Sequence, residues 1–153
     1  MANTYTQIHI QAVFAVQNRE SLIPPDRKEE VYRYITGIIQ NHEHKLLAIN
    51  GMPDHIHILF GMRPSQAISD LIKQVKQDSS KWINGRGMVR GRFSWQAGFG
   101  AFSYSRSDLP RVMAYIREQE KHHRRISFRE EYLELLMEFE VEHDERYIFM
   151  PAD

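Results

Sequence analysis

Cysteine is absent from the 153 residues. That absence removes disulfides, thiolate metal sites, iron–sulfur clusters and cysteine nucleophiles together. No apolar run approaches the roughly 20 residues of a membrane-spanning helix. The opening Met-Ala-Asn-Thr-Tyr-Thr-Gln lacks the basic-then-apolar order of a secretory leader, so a cytoplasmic location is expected. A Gly-x-x-x-x-Gly-Lys-Ser/Thr loop and a Gly-x-Gly-x-x-Gly fingerprint are both missing, and no nucleotide cofactor is expected. The Gly-x-Ser-x-Gly elbow of serine hydrolases is missing too. Repeats, low-complexity tracts and linkers are lacking. The length suits one domain over 1–153, with an acidic helical extension over about 128–153.

Net charge is also lacking, with 20 cations against 20 anions. The balance conceals an asymmetry. Between Arg63 and Arg92, seven cations face two anions; from Phe128 onward, two cations face nine anions. A basic middle suggests a polyanion site, and an acidic end suggests a solvated or partner-facing helix. Ordinary surface charge explains the same counts. Hydrophobic residues at 42% and aromatics at 11% supply a core, which excludes disorder as the main state.

Hydrophobic periodicity sets the elements. Thr4–Val16 alternates, with Ile8, Ile10, Ala12 and Phe14 on one face and Gln7, His9, Gln11 and Val13 on the other, as in a half-buried strand. A helix is expected from Pro25 to about His42, burying Val31, Tyr34, Ile35 and Ile38. Lys45–Asn50 and His55–Phe60 form a hairpin around Gly51-Met52-Pro53-Asp54. A helix opening at Pro64–Ser65 carries Ile68, Leu71, Ile72, Val75 and Trp82; a basic glycine-containing loop follows over Asn84–Arg92. A fourth strand is expected near Ala101–Ser105. A helix capped by Asp108 then runs to about His122, and an acidic helix covers about Phe128–Glu140. Strand, helix, strand, strand, helix, strand is the split βαβ order of the ferredoxin-like fold. The expectation is an α+β protein with two helices on one sheet face, the other face open, and extra C-terminal helices.

Three features carry chemistry. In Pro53-Asp54-His55-Ile56-His57-Ile58, His55 and His57 share one strand face. Two imidazoles at that spacing suit a shared metal ion; they equally suit a solvated strand. Second, Tyr115, Gln119 and His122 lie on one helical stripe, distinct from the apolar Leu109, Val112, Met113 and Ile116. A tyrosine and a glutamine one turn apart can meet one ligand, although a tyrosine at a core margin has the same pattern. Third, Phe93–Ser105 interleaves aromatics with glycine after a basic loop. That suits base stacking or closure of the core at a sheet edge.

Together these segments resemble the single-tyrosine HUH transposases of small bacterial insertion sequences, the IS200-like group, and their relatives the REP-associated tyrosine transposases. The resemblance covers about Thr4 to His123. It rests on Phe14-Ala15-Val16-Gln17-Asn18-Arg19, Met52-Pro53-Asp54-His55-Ile56-His57, Trp95-Gln96-Ala97-Gly98-Phe99-Gly100-Ala101-Phe102-Ser103 and Ala114-Tyr115-Ile116-Arg117-Glu118-Gln119-Glu120-Lys121-His122-His123. The acidic helix after Phe128 is outside it. The resemblance implies a homodimeric enzyme that cleaves and rejoins single-stranded or hairpin DNA through a 5′-phosphotyrosine. It implies Tyr115 as nucleophile and His55, His57 and Gln119 as ligands of one divalent ion, Mg²⁺ or Mn²⁺. By charge rather than motif, Lys73, Lys76, Arg90 and Arg92 are candidate DNA contacts. A non-catalytic ferredoxin-like nucleic-acid binder and a metal-dependent phosphoesterase are the rival readings.

Overall fold

The computed structural model describes residues 3–149. The strands are β1 (His9–Ala15), β2 (Lys45–Met52), β3 (His55–Gly61) and β4 (Gly100–Tyr104). They form one sheet in the order β2-β3-β1-β4, with every neighbouring pair antiparallel. Between β1 and β2 runs α1 (Lys28–Asn41), and between β3 and β4 runs α2 (Ile68–Gly85). Three more helices follow: α3 (Leu109–Arg117), α4 (Gln119–His122) and α5 (Phe128–Glu138). Among the described residues no helix is long and apolar enough to cross a membrane. The end of the extension expected over about 128–153, Met150–Asp153, lies outside the described residues.

The first face of the sheet follows the alternation. Phe14 pairs with Ile56, and these pack with Ile58 and Phe60 against Val31, Ile35 and Ile39 of α1 and Leu71, Ile72 and Val75 of α2. Tyr34, expected in the core, instead stacks on Trp82 at 4.3 Å between centroids, while Tyr32 and Ile39 take the buried places on α1. Strand β1 is shorter than its alternation. His9 pairs with Gly61 and Tyr104, the last residues of both partner strands, and beyond it only the Ile8 carbonyl continues the pairing, accepting from the Met62 N–H at 2.8 Å. The aromatic segment after the basic loop fills the core. Phe93 is buried, and Trp95 packs edge-on against Phe14 at 4.7 Å and donates its indole N–H to Ser79.

The second face is not open. Leu59 and Ala48 pack against Val112 and Ile116 of α3, and α5 lays Phe128, Tyr132, Leu135 and Leu136 into the core. The acidic helix is therefore not wholly solvated: one face is buried, and Glu130, Glu134 and Glu138 remain exposed. Its apolar residues, spaced four, three and one apart, form a stripe that has to be buried, and the high acid count masks that stripe in the sequence. Ser127 caps α5 in a reciprocal capping box with Glu130, which fixes where the helix starts. Asp108 stands at the N-cap position of the tyrosine helix as expected, but its side chain makes no capping hydrogen bond; its carboxylate accepts from Ser105 Oγ instead. That helix is also interrupted. Glu118, at φ −98° and ψ 23°, separates α3 from α4, so Tyr115 lies in the last turn of one segment and Gln119 begins the next.

Candidate active site

The β2–β3 hairpin positions the histidines. Met52 pairs with His55 across a two-residue turn, Pro53-Asp54. Gly51 is required beside it, because a Cβ there would fall 2.1 Å from the His55 carbonyl oxygen. His55 and His57 share a face as expected, but both have 0% exposure under α4 and α5. They are core residues, not groups on a wet surface. Gln11 of β1 joins them, also fully buried, as the polar alternation of that strand implied.

The hydrogen bonds assign the tautomers. His57 Nδ1 lies 2.7 Å from Gln11 Oε1, while Gln11 Nε2 donates to the Tyr104 hydroxyl at 2.7 Å. The amide oxygen therefore faces the imidazole, and His57 carries its N–H on Nδ1. His55 Nδ1 donates to Asp54 Oδ1 at 2.7 Å. His123 Nδ1 donates to the Ile126 carbonyl at 3.0 Å. Each neutral imidazole thus has its N–H committed outward and points a lone pair inward from Nε2. An outer acceptor that fixes the ring in this tautomer is the usual companion of a metal-binding histidine.

What these lone pairs meet is another set of acceptors. His55 Nε2 is 3.1 Å from Gln119 Oε1 and 3.4 Å from Glu131 Oε1. His57 Nε2 is 3.1 Å and His123 Nε2 is 2.9 Å from the same Glu131 oxygen. Three imidazole nitrogens, an amide oxygen and a carboxylate oxygen converge, and all are acceptors. Such a cluster needs positive charge at its centre, supplied by protons or by a metal ion. In the protonic case His55 takes the charge. Burial opposes it, but hydrogen bonds to Asp54 and Glu131 outweigh burial and raise its pKa from 6.5 to about 8. Burial drives His57 the other way, keeping it neutral. Glu131, despite its burial, is held far below the usual carboxylate range by the imidazoles of His123, His55 and His57 around it. The mixed N/O donor set fits a divalent first-row ion or Mg²⁺.

Tyr115 stands beside this cluster. Its hydroxyl donates to Glu131 Oε2, the oxygen that also accepts from Gln119 Nε2 at 2.9 Å. Burial, then the charge of Glu131 and the hydrogen bond to it, push the phenol pKa up. All four site residues expected from the sequence, Tyr115, His55, His57 and Gln119, therefore meet within one chain. Tyr104, the nearest rival tyrosine, instead accepts from Gln11.

The expected DNA contacts lie elsewhere. Lys76 sits over the Phe14 ring at 5.5 Å, and Phe14 with its partner Ile56 faces away from the histidines. Its ammonium donates to the carbonyls of Gln96 and Gly98, and burial lowers its pKa to about 8. Lys73, Arg90 and Arg92 are exposed on α2 and the loop after it. Other basic residues lie at the tyrosine, Arg111 among them. Lys121, His122 and Arg125 line a cleft with Tyr115 and Glu118, and His122 Nε2 is buried there with no hydrogen-bond partner.

Glu131 and His123 escaped the sequence reading. A signal existed: Ser127-x-x-Glu130 reads as a capping box, and it sets a helix in which Glu131 falls on the stripe of Phe128, Tyr132 and Leu135. An acid on an apolar stripe is a functional candidate.

Comparison with known proteins bears on the fold and the family. Over 118 residues the chain is 20% identical to the ISDra2 transposase TnpA of Deinococcus radiodurans, covering 74% of this chain and 84% of that protein. The crystal structure of a candidate transposase from Deinococcus radiodurans superposes with a TM-score of 0.59 at 18% identity, over 78% of this chain and 95% of that one. A REP-associated tyrosine transposase, solved bound to a REP hairpin, matches with a TM-score of 0.59 at 15% identity, over 80% of this chain and 73% of that one. These two likenesses bear out the fold. The family model for IS200-like transposases matches residues 4–119, from the segment before β1 to the glutamine that meets His55. A match of that extent makes this chain a member of the IS200-like transposase family.

Proposed function

We propose that the chain cleaves and rejoins single-stranded DNA through a 5′-phosphotyrosine, with Tyr115 as nucleophile and His55, His57 and Gln119 holding one divalent ion, Mg²⁺ or Mn²⁺. The observation that carries this reading is the meeting of a tyrosine hydroxyl with a buried cluster of metal-type donors inside one chain. A divalent ion bound there neutralises charge on a phosphodiester and orients it.

The residues divide the remaining work. Tyr115 supplies the phenol oxygen that forms the new P–O bond as the P–O3′ bond breaks. The phenolic proton leaves toward Glu131 Oε2, the acceptor it already faces, and the departing 3′ oxygen takes up a proton. The ester is exchanged rather than lost, so the 3′-OH can later attack the phosphotyrosine and restore the strand without a nucleotide cofactor. Gln11 and Asp54 hold the imidazoles in the tautomer that presents Nε2 inward.

Single-stranded or hairpin DNA is the proposed partner, and the hairpin carried by the REP-associated relative supports it. Lys121 and Arg125 are the proposed phosphate contacts at the tyrosine, with Lys73, Lys76, Arg90 and Arg92 contacting DNA farther away. The homodimer implied by the resemblance is retained in this reading, with Tyr115 acting in its own chain's site, and the cytoplasm is the proposed location.

The test is incubation with end-labelled hairpin DNA and Mn²⁺, followed by a denaturing gel and mass spectrometry of the crosslinked peptide. A 5′-phosphate adduct on Tyr115 is the expected result. Free 5′-phosphate ends without an adduct would instead establish hydrolysis, and binding without cleavage would establish a non-catalytic module.

A further inference from the structure

Glu131 has 1% exposure and comes from α5, wholly outside the family-matched residues 4–119. Five groups lie within 3.4 Å of its carboxylate oxygens, and His122 Nε2 is 3.6 Å from Oε2. Oε2 accepts from Tyr115 and Gln119, so that oxygen is satisfied. Oε1 is not satisfied in the same way. Its neighbours are the Nε2 atoms of His57, His55 and His123, at 3.1, 3.4 and 2.9 Å. Those imidazoles donate through Nδ1 to Gln11, Asp54 and Ile126. When neutral, they offer Oε1 only lone pairs.

The ligand atoms of His55, His57 and Glu131 all lie within 4.8 Å of one another. Ligands held about 2.0–2.2 Å from one ion are spaced in this range. A carboxylate also changes what the site prefers. Two imidazoles favour zinc or copper, whereas added carboxylate and amide oxygens move the set toward manganese and magnesium. A buried carboxylate without a compensating cation is costly, and a divalent ion compensates it directly.

We infer that Glu131 is an anionic ligand of the metal centre through Oε1, added to His55, His57 and Gln119, and that its Oε2 holds the Tyr115 hydroxyl beside that centre. The inference rests on the metal site proposed above. It makes α5 part of the active site: one carboxylate joins the ion to the nucleophile.

The test reads metal binding rather than activity. Mn²⁺ is titrated into the full chain, with uptake followed by electron paramagnetic resonance and calorimetry, for wild type, Glu131→Gln and Tyr115→Phe. Folding is checked by circular dichroism. Glu131→Gln keeps the shape, and its amide N–H can donate to an imidazole lone pair, so the fold is expected to persist. Expected is at least a tenfold loss of Mn²⁺ affinity in Glu131→Gln, with Tyr115→Phe within twofold of wild type. If Glu131→Gln binds Mn²⁺ within twofold of wild type, the carboxylate is only an ion-pair partner of the histidines and the inference is overturned. Should Glu131→Gln fail to fold, Glu131→Asp, which withdraws the charge by one methylene, is held to the same tenfold criterion. Wild-type protein that takes up no Mn²⁺ overturns the metal reading beneath, and this inference with it.

Discussion

Tyr115 donates its hydroxyl hydrogen to a buried carboxylate, a bond that holds the oxygen in place and also holds its proton on. Removing that oxygen separates position from chemistry. Tyr115→Phe keeps the ring against His57 and His122 and is expected to abolish the DNA adduct. The lost charged hydrogen bond is expected to cost about 1–2 kcal/mol of stability, read by denaturant unfolding; an adduct surviving in this variant removes Tyr115 as the nucleophile. The histidines are a different case. Because they are fully buried, His57→Ala opens a cavity and orphans Gln11 Oε1, a loss of about 2–4 kcal/mol. A variant of unchanged stability would contradict that burial. A pH effect follows from His55 in the metal-free protein. Its folded pKa of about 8 exceeds the unfolded 6.5, so folding binds the proton more tightly. That stabilisation, about 2 kcal/mol, is complete below pH 6.5 and lost as pH rises through 8. His57, depressed by burial, acts with the opposite sign and only below 6.5. In chelator, the thermal midpoint is expected to fall between pH 6.5 and 8, and His55→Gln to flatten that fall.

Elements carry the next set of constraints. The hairpin turn leaves no room at Gly51, where the obstacle is the backbone of His55 and Ile56. Gly51→Ala is therefore expected to displace the strand that holds both histidines, costing about 1–3 kcal/mol and weakening Mn²⁺ binding in calorimetry. Intact binding in that variant would show that the hairpin yields without moving His55. The hairpin was legible in the sequence, because turn residues between two apolar runs specify it and a period of two places His55 and His57 together. The helix pair α1 and α2 was legible for the same reason at a period of 3.6. The covering of the second face was not. Nothing local in Phe128–Glu138 says which surface its stripe meets, and Glu130, Glu134 and Glu138 on the outer side suggest solvent. The interruption at Glu118 was hidden too, since no proline or glycine marks it. Gln119 nevertheless meets His55, because one helical turn after Tyr115 is nearly the same direction on either side of a short break.

At the scale of the whole molecule, charge and chemistry occupy different layers. Lys76 of α2 lies across the sheet from the histidines, while Lys121 and Arg125 line the cleft at the tyrosine. Neutralising Lys121 and Arg125 is expected to reduce both adduct formation and the salt dependence of DNA binding, by a log–log slope of roughly 0.7 for each phosphate no longer neutralised. Neutralising Lys73, Arg90 and Arg92 is expected to lower the slope while leaving the single-turnover cleavage rate of bound DNA nearly unchanged. Equal effects from both sets would place them along one strand path. The fold has a further consequence for how such proteins can change over generations. The residues by which the family is recognised end at Gln119, yet Phe128, Tyr132, Leu135 and Leu136 form one wall of the interior. A chain cut after Gln119 keeps every family residue and loses that wall, leaving Phe102 and the histidines to water; it is expected to aggregate, as light scattering would show. The stretch that looks like a dispensable appendage is thus inherited under the same constraint as the nucleophile, and a lineage can exchange it only for another segment that closes the same surface.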